Sequence, residues 1–364
     1  MVNSVRVIGV DPGTKTLDIC GLKDGEVELD ISYPSEVVAS SPETIVAEIV
    51  KFQPDLMIGP SGMGLSLKHI TELNEDDKFE LTIERPEDRG RIPVLVGLQK
   101  MVQLLAEKKQ NVYFIPGVIH LSTVPRYRKV NKIDLGTADK MAIGVLGVYS
   151  EAKRKNMSFD KVNFVLLEIG FGYNACLAVE GGKIVDGLGG TIFPGPAFLN
   201  FGVMDGEIAY LLGGFPKELL FSGGVSSITA GAVISPEEFV ELINNGDGQA
   251  KLALDSFLEG IIRAVSQELT VTKANTVVLS GRLTRVLQLN KLITEAIRNK
   301  FDLEVTNLVG FAEAKEAAQG SALIADGLAG GRFATLVEHL EIRNSNARLL
   351  ENVFIGELYK KEWK

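Results

Sequence analysis

A hairpin signature of three strands and two tight turns occurs twice in this chain, at Val5 to Tyr33 and at Phe164 to Leu188. The first copy, VRVIGVDPGTKTLDICGLKDGEVELDISY, runs through an apolar strand to Asp11, then a Gly-Thr-Lys-Thr turn, a second strand, a Lys23-Asp24-Gly25 turn and a third strand. The second copy, FVLLEIGFGYNACLAVEGGKIVDGL, repeats that order with Glu168, a Gly170-Phe171-Gly172 turn and a Glu180-Gly181-Gly182 turn. Two tight turns, each introduced by a carboxylate at a strand end, would set two groups of backbone N–H donors and two acids around one polyphosphate and its metal ion. A repeated unit of this kind implies a duplicated architecture.

The chain has 364 residues, too many for one ordinary core, and its 45% hydrophobic share is that of a globular protein. The expected organisation is a first domain over 1–150, a second over 151–331 and a helical tail over 332–364. Lys and Arg number 38 against 47 Asp and Glu, a net charge of −9. That balance argues against nucleic acid or an anionic membrane as partner and leaves a small molecule. Cys20 and Cys176 fall in the middle strand of each hairpin with no Cys-x-x-Cys or Cys/His spacing, so they read as buried core thiols rather than a disulfide or cluster site. No charged leader precedes the first strand and no apolar run reaches membrane-spanning length, so the expected location is the cytoplasm.

Hydrophobic periodicity predicts helices at Pro42–Phe52, Val94–Glu107, Thr137–Lys155, Glu238–Asn244, Lys251–Thr272, Leu287–Lys300 and Ala312–Ala329. Short buried strands are expected at Asp55–Gly59, Val112–Ile115, Thr276–Leu279 and Leu303–Thr306. Thr137–Lys155 links the halves, and small residues crowd Ala317-Ala318-Gln319-Gly320-Ser321-Ala322, as close helix packing or a hinge requires. Leu67 to Arg91 is strongly charged and reads as an exposed flap, from which Arg89 or Arg91 could reach an anionic substrate. The tail, apolar at Leu336, Val337 and Leu340, either packs back on the first domain or forms a subunit contact in a homodimer. Gly213-Gly214 and Gly223-Gly224 are loop punctuation or frame a nucleotide-contacting loop. His69, His120 and His339 have no partner at ligand spacing and read as surface or packing residues.

Asp11 follows Val7-Ile8-Gly9-Val10, at a strand end where a carboxylate can hold magnesium or orient an attacking group. Gly13 allows close backbone approach, Thr14 and Thr16 offer hydroxyl donors, and Lys15 can neutralise phosphate charge. The same residues also make an ordinary Asp-Pro-Gly turn. Glu168, Gly170 and Gly172 form the second turn, equally readable as a glycine-rich hairpin loop. A third element, Val277-Val278-Leu279-Ser280-Gly281-Arg282-Leu283-Thr284-Arg285, reads as a buried strand running into a glycine turn and then a helix. Gly281 beside a helix N-terminus could accept phosphate or ribose, and Arg285 could lie on a purine.

The order Asp turn, linking helix, Gly turn, Gly strand and small-residue helix resembles that of the acetate and sugar kinase, heat-shock ATPase and actin superfamily, up to about Gly331. The resemblance implies an α/β fold of two actin-like (ribonuclease H-like) domains flanking a nucleotide cleft, with ATP and magnesium as cofactors. On it, Asp11–Asp18 and Glu168–Asn174 are the phosphate motifs and Thr137–Gly147 and Ala317–Asp326 the connecting helices. Leu279–Arg285 is the adenosine motif, with Arg285 stacked on adenine and Arg282 in place of its second Gly. Asp11 and Glu168 would organise the metal.

Within the superfamily the chain is most similar to butyrate and acetate kinases, and more similar still to archaeal proteins described as predicted butyrate kinases. Three stretches carry this: Gly59-Pro60-Ser61-Gly62-Met63-Gly64; Gly170 to Gly172 with Gly181 to Asp186 and Gly189 to Pro196; and Pro125-Arg126-Tyr127-Arg128 upstream of Leu135-Gly136-Thr137-Ala138-Asp139-Lys140. The implied activity is phosphoryl transfer from ATP to a short-chain carboxylic acid. Leu135 and Glu168 stand where acetate kinases carry histidines, so Arg126, Arg128 or Lys140 supplies the missing positive charge or the chemistry differs. Asp139-Lys140 also resembles a segment of type III pantothenate kinases whose Asp faces an acceptor hydroxyl, which implies an alcohol acceptor as the rival. A nucleotide-driven switch without an acceptor would use the same cleft.

Overall fold

The run Val7-Ile8-Gly9-Val10 has no polar alternation, the pattern of a strand covered on both faces. The computed structural model, which describes residues 4–13, 15–85, 88, 90 and 93–355, shows why. β1 (Arg6–Pro12) and β2 (Thr16–Lys23) are buried throughout their middles, while β3 (Glu26–Pro34) is a half-exposed edge. With β4 (Leu56–Ile58), β5 (Lys68–His69) and β6 (Val112–Phe114) they form a sheet of order β3-β2-β1-β4-β6-β5. The second sheet, β11-β10-β7-β8-β9, contains β7 (Phe164–Ile169), β8 (Asn174–Glu180), β9 (Lys183–Leu188), β10 (Thr276–Ser280) and β11 (Glu304–Asn307). In each sheet an antiparallel hairpin triplet is continued by two parallel strands, and each hairpin is irregular in its outer pairing, at Gly21/Leu22 and Ala178/Val179. The duplication seen in sequence is therefore a duplication of topology.

Alternation along the central strands sorts residues between two faces. Ile8 and Val10 point outward to α2 (Pro42–Phe52) and α4 (Pro93–Glu107), in a core with Ile45, Ile49, Met101 and Leu105. Val165, Leu167 and Ile169 do the same toward α10 (Gly248–Glu268) and α11 (Leu287–Lys300), meeting Phe257, Ile261, Ile293 and Ile297. Between the sheets lie α6 (Ala138–Lys155) and α12 (Glu316–Leu328).

These two helices are exchanged between the halves. α12 rests on β1, where a Cβ at Gly9 would overlap its backbone at Ala318 and Ala322, and α6 rests on the second sheet through Gly144 against Leu177 and Ile184 and Gly147 against Phe164. The helices also touch each other: Gly320 lies against the Ala142 carbonyl with no room for a side chain. All of Ala317–Gly327 is buried because sheet and helix cover α12 from opposite sides, so it is apolar or small throughout except at Gln319 and Asp326, whose side chains bond backbone groups. Cys20 and Cys176 are free and buried, and burial pushes both thiols up, Cys20 to about 12. Among the described residues no helix is long and apolar enough to cross a membrane.

The charged segment after Leu67 is not an exposed flap. It holds α3 (Glu75–Thr82), and Asp77, Glu80, Glu84 and Asp88 are buried. Burial is possible because cations reach them: Lys68 Nζ lies 2.6 Å from Asp77, and Arg348 of the tail 2.7 Å from Glu80. Arg85 Nη2 also donates to Phe215 O (2.8 Å) and Lys217 Nζ to Ile83 O (3.1 Å), joining this segment to the loop between the two Gly-Gly pairs. Arg89 and Arg91 lie outside the described residues. The tail does pack back: α13 (Ala334–His339) buries Leu336 and Val337, Ser66 Oγ donates to Ala347 O (2.8 Å), and Asn131 Oδ1 accepts from Phe354 N (2.7 Å). His69 caps a helical turn and packs on Tyr113, His120 is buried with its pKa lowered by burial to about 4, and His339 bonds Gly181 O, all structural positions.

Candidate functional site

The carboxyl ends of β1, β7 and β10 open on one side of the α6–α12 pair, the location at which parallel α/β sheets bind ligands. Asp11 ends β1, Glu168 ends β7 and lies opposite Ser280 of β10, and all three are buried. Gly281, with φ of +95°, follows at once; a Cβ there would come within 2.5 Å of Ile169 O and 2.8 Å of Glu168 Oε1. The third element is thus pressed onto the second turn, and only glycine fits. Gly170 N donates to Tyr173 O (3.0 Å) to close that turn, and Gly172 O accepts from Asn200 N (3.2 Å).

Lys140, in the first turn of α6, places Nζ 2.9 Å from Asp139 Oδ2 and 2.9 Å from Glu168 Oε2. Burial alone would lower this amine, but the two carboxylates outweigh it and hold it firmly protonated. Burial raises Asp139, yet Lys140 and a hydrogen bond from Thr137 Oγ1 leave it below the ordinary carboxylate range. Glu168 is raised by burial, which Lys140 only partly offsets. The second cation is Lys315, at the N-terminus of α12, with Nζ 3.1 Å from Asp18 Oδ2. Thr16 Oγ1 donates to the same oxygen (2.7 Å).

Asp11 is different. Its side chain has no hydrogen bond or ion pair within 4 Å among the described residues, and burial pushes its carboxyl up to about 7 against the opposing pull of Lys315. Four carboxylates, Asp11, Asp18, Asp139 and Glu168, thus face two ammonium groups. No group of three or more His, Cys, Asp or Glu could hold a metal among the described residues. Magnesium, however, is ordinarily held by one or two carboxylates, waters and substrate phosphates. A buried carboxylate with no ion-pair partner within 4 Å among the described residues fits that ion, and Asp11 would be its protein ligand, with Glu168 already engaged by Lys140.

The remaining expected residues divide. Lys15 lies over the Phe171 ring at 5.0 Å and the Arg282 guanidinium over the same ring at 5.8 Å, so the first turn, the second turn and the third element meet at one aromatic side chain. Arg285 is largely exposed and pairs with Glu316 at 2.9 Å, beside Lys315. Thr14 lies outside the described residues. Arg126 and Arg128, on the short helix α5 (Arg126–Lys129), are engaged elsewhere: Arg126 Nε donates to Asn352 of the tail (2.8 Å), and Arg128 donates to Val185 O (2.6 Å) and pairs with Asp186. Leu135, at the position where the resemblance places a histidine of acetate kinases, is a core residue. The Gly59–Gly64 loop meets the same region, since Gly62 O accepts from Ala138 N (3.2 Å) at the start of α6.

Sequence reasoning missed Lys315, whose partners Asp18 and Thr16 are 297 and 299 positions away. Its one local sign is that it immediately precedes the small-residue helix. Asp134 was missed too. Its carboxylate accepts from Thr191 N (3.0 Å), Thr191 Oγ1 (2.9 Å) and Gly136 N (3.3 Å), binding the Gly189–Pro196 segment to the approach to α6.

Two sheets of repeated topology, exchanged central helices and carboxylates gathered at equivalent strand ends define an actin-like ATPase fold of the acetate kinase type. The chain belongs to the family described as "Protein of unknown function (DUF1464)", whose model matches residues 9–355. It is similar in fold to a propionate kinase from Francisella tularensis subsp. tularensis SCHU S4, at 13% identity over 87% of this chain and 98% of that one, with a TM-score of 0.61. Acetate kinase from Entamoeba histolytica gives 12% identity, 82% and 87% coverage and a TM-score of 0.59. Acetate kinase from Porphyromonas gingivalis gives 12%, 87% and 98%, and 0.57. No curated protein matches the chain.

Proposed function

We propose that this protein is an ATP-dependent small-molecule kinase that phosphorylates a short-chain carboxylic acid, in the manner of butyrate kinases. The observation that carries the reading is the pairing of Asp11 and Glu168 at equivalent strand ends, each beside a glycine turn, with Lys140 and Lys315 set among the carboxylates. Asp11 would hold magnesium, which would supply positive charge against the phosphates. The Gly13 turn and the Phe171–Gly172 part of the second turn, whose Gly170 N is spent on Tyr173 O, would hold the phosphate chain by backbone N–H groups, and Arg285 would offer a flat cation to the base. A bond forms between the acceptor carboxylate oxygen and the γ-phosphorus as the bond to the bridging oxygen breaks, and ADP leaves with the electron pair. An acid already ionised at neutral pH needs no base, which suits a site whose firmly protonated group is Lys140. With Arg126 and Arg128 engaged elsewhere, Lys140 is the cation favoured for the acceptor side.

One observation favours a hydroxyl acceptor instead. Asp139 is held ionised at the start of α6, as a base receiving a hydroxyl proton must be. Hydroxylamine separates the two: it traps an acyl phosphate as a hydroxamate and leaves a phosphate ester untouched. Hydroxamate formed with a short aliphatic acid supports the carboxylate reading. ATP consumption driven by an alcohol or sugar without hydroxamate hands the assignment to the hydroxyl acceptor. Stimulation by neither, with a nucleotide-dependent protein partner, points to a switch.

A further inference from the structure

Lys315 begins α12, in the second half of the chain, yet its ammonium is fixed to the first turn. Nζ stands 3.1 Å from Asp18 Oδ2 and 3.4 Å from Thr16 O, both in β2. A Cβ built on Gly13 would overlap the same amine, so the ammonium lies directly against the turn backbone that faces the cleft. An ammonium has three donors, and these two contacts leave one unused. Lys15 of the same turn is exposed and occupied with the Phe171 ring, which leaves Lys315, among the described residues, as the cation at this turn that an ion pair holds in place.

Resting on the kinase reading above, we propose that Lys315 is a ligand of the nucleotide's phosphate chain, supplying positive charge at the Gly13 turn from the opposite half of the chain. Asp18 is its tether: by fixing the amine beforehand it spares the rotamer freedom that a lysine would otherwise lose on binding. The arrangement also couples the halves, because the phosphate chain would hold the start of α12 against β1 and β2.

The test measures affinity of the full chain for magnesium-ATP, magnesium-tripolyphosphate and adenosine. Lys315→Met should weaken ATP and tripolyphosphate by about tenfold or more and leave adenosine unchanged, whereas Lys315→Arg should stay within a few fold of wild type. Asp18→Asn, which keeps the ammonium and removes its tether, should retain most of the preference for ATP over adenosine. An unaltered ATP-to-adenosine ratio in Lys315→Met would make the residue a structural tie and overturn the proposal. Should that variant fail to fold, wild-type protein decides: magnesium-tripolyphosphate must protect Lys315 from acetylation, and equal labelling with and without it overturns the proposal. Wild-type protein that binds no nucleotide removes the kinase reading itself and this inference with it.

Discussion

Lys140 Nζ lies 2.9 Å from Glu168 Oε2, so the first turn of α6 is locked by charge to the end of β7. Both side chains are largely buried, and removing one partner strands the other's charge. Lys140→Met should therefore destabilise the protein by about 3 kcal/mol in urea unfolding, and the double variant with Glu168→Gln should recover the part due to Glu168, with Asp139 still unpaired. Additive losses would mean that the two groups do not interact as the geometry states.

Asp11 sets the pH response of the nucleotide-free protein. Its carboxyl titrates at about 7 in the fold and near the ordinary 3.8 when unfolded. Between those values the folded state holds a proton that the unfolded chain has released. The contribution therefore favours folding below the lower value and is lost as pH rises through the upper one. Asp11→Asn should stabilise the nucleotide-free protein at pH 8 by on the order of 2–4 kcal/mol, with the difference shrinking toward pH 4. Thermal unfolding across that range measures it.

Arg285 and Lys15 should fail differently. Arg285→Ala is expected to lose discrimination between purine and pyrimidine nucleotides, and Lys15→Ala to lower turnover with little change in base preference. Steady-state rates with ATP and CTP for both variants make the comparison, and identical effects would contradict the placement of the adenosine element.

The exchanged helices make a packing prediction. Gly320→Ala forces a side chain into the Ala142 carbonyl and should cost about 1–3 kcal/mol or prevent folding. At Gly206 a Cβ meets nothing within 4 Å, so Gly206→Ala in α7 (Gly206–Leu212) should be close to neutral.

What the sequence made legible was what depends on neighbours along the chain. The two hairpin triplets and the helices Pro42–Phe52 and Leu287–Lys300 follow from local apolar spacing and appear with the expected bounds. Buried acids escaped it, because Glu80 is satisfied by Arg348, 268 positions away, and a run of charge with its partners out of view looks solvated. Lys315 escaped for the same reason. Arg126 and Arg128 were drawn to the site by motif similarity, but the side-chain partners that engage them, Asn352 and Asp186, lie far along the chain.

Titration calorimetry of the nucleotide-free protein with a non-hydrolysable ATP analogue measures whether a magnesium nucleotide binds between Asp11 and Glu168. Saturable one-site binding that needs magnesium, with its metal-dependent part weakened in Asp11→Ala, is expected. Wild-type protein that gives no binding with any magnesium nucleotide, or binding to which magnesium and Asp11 make no difference, would contradict it.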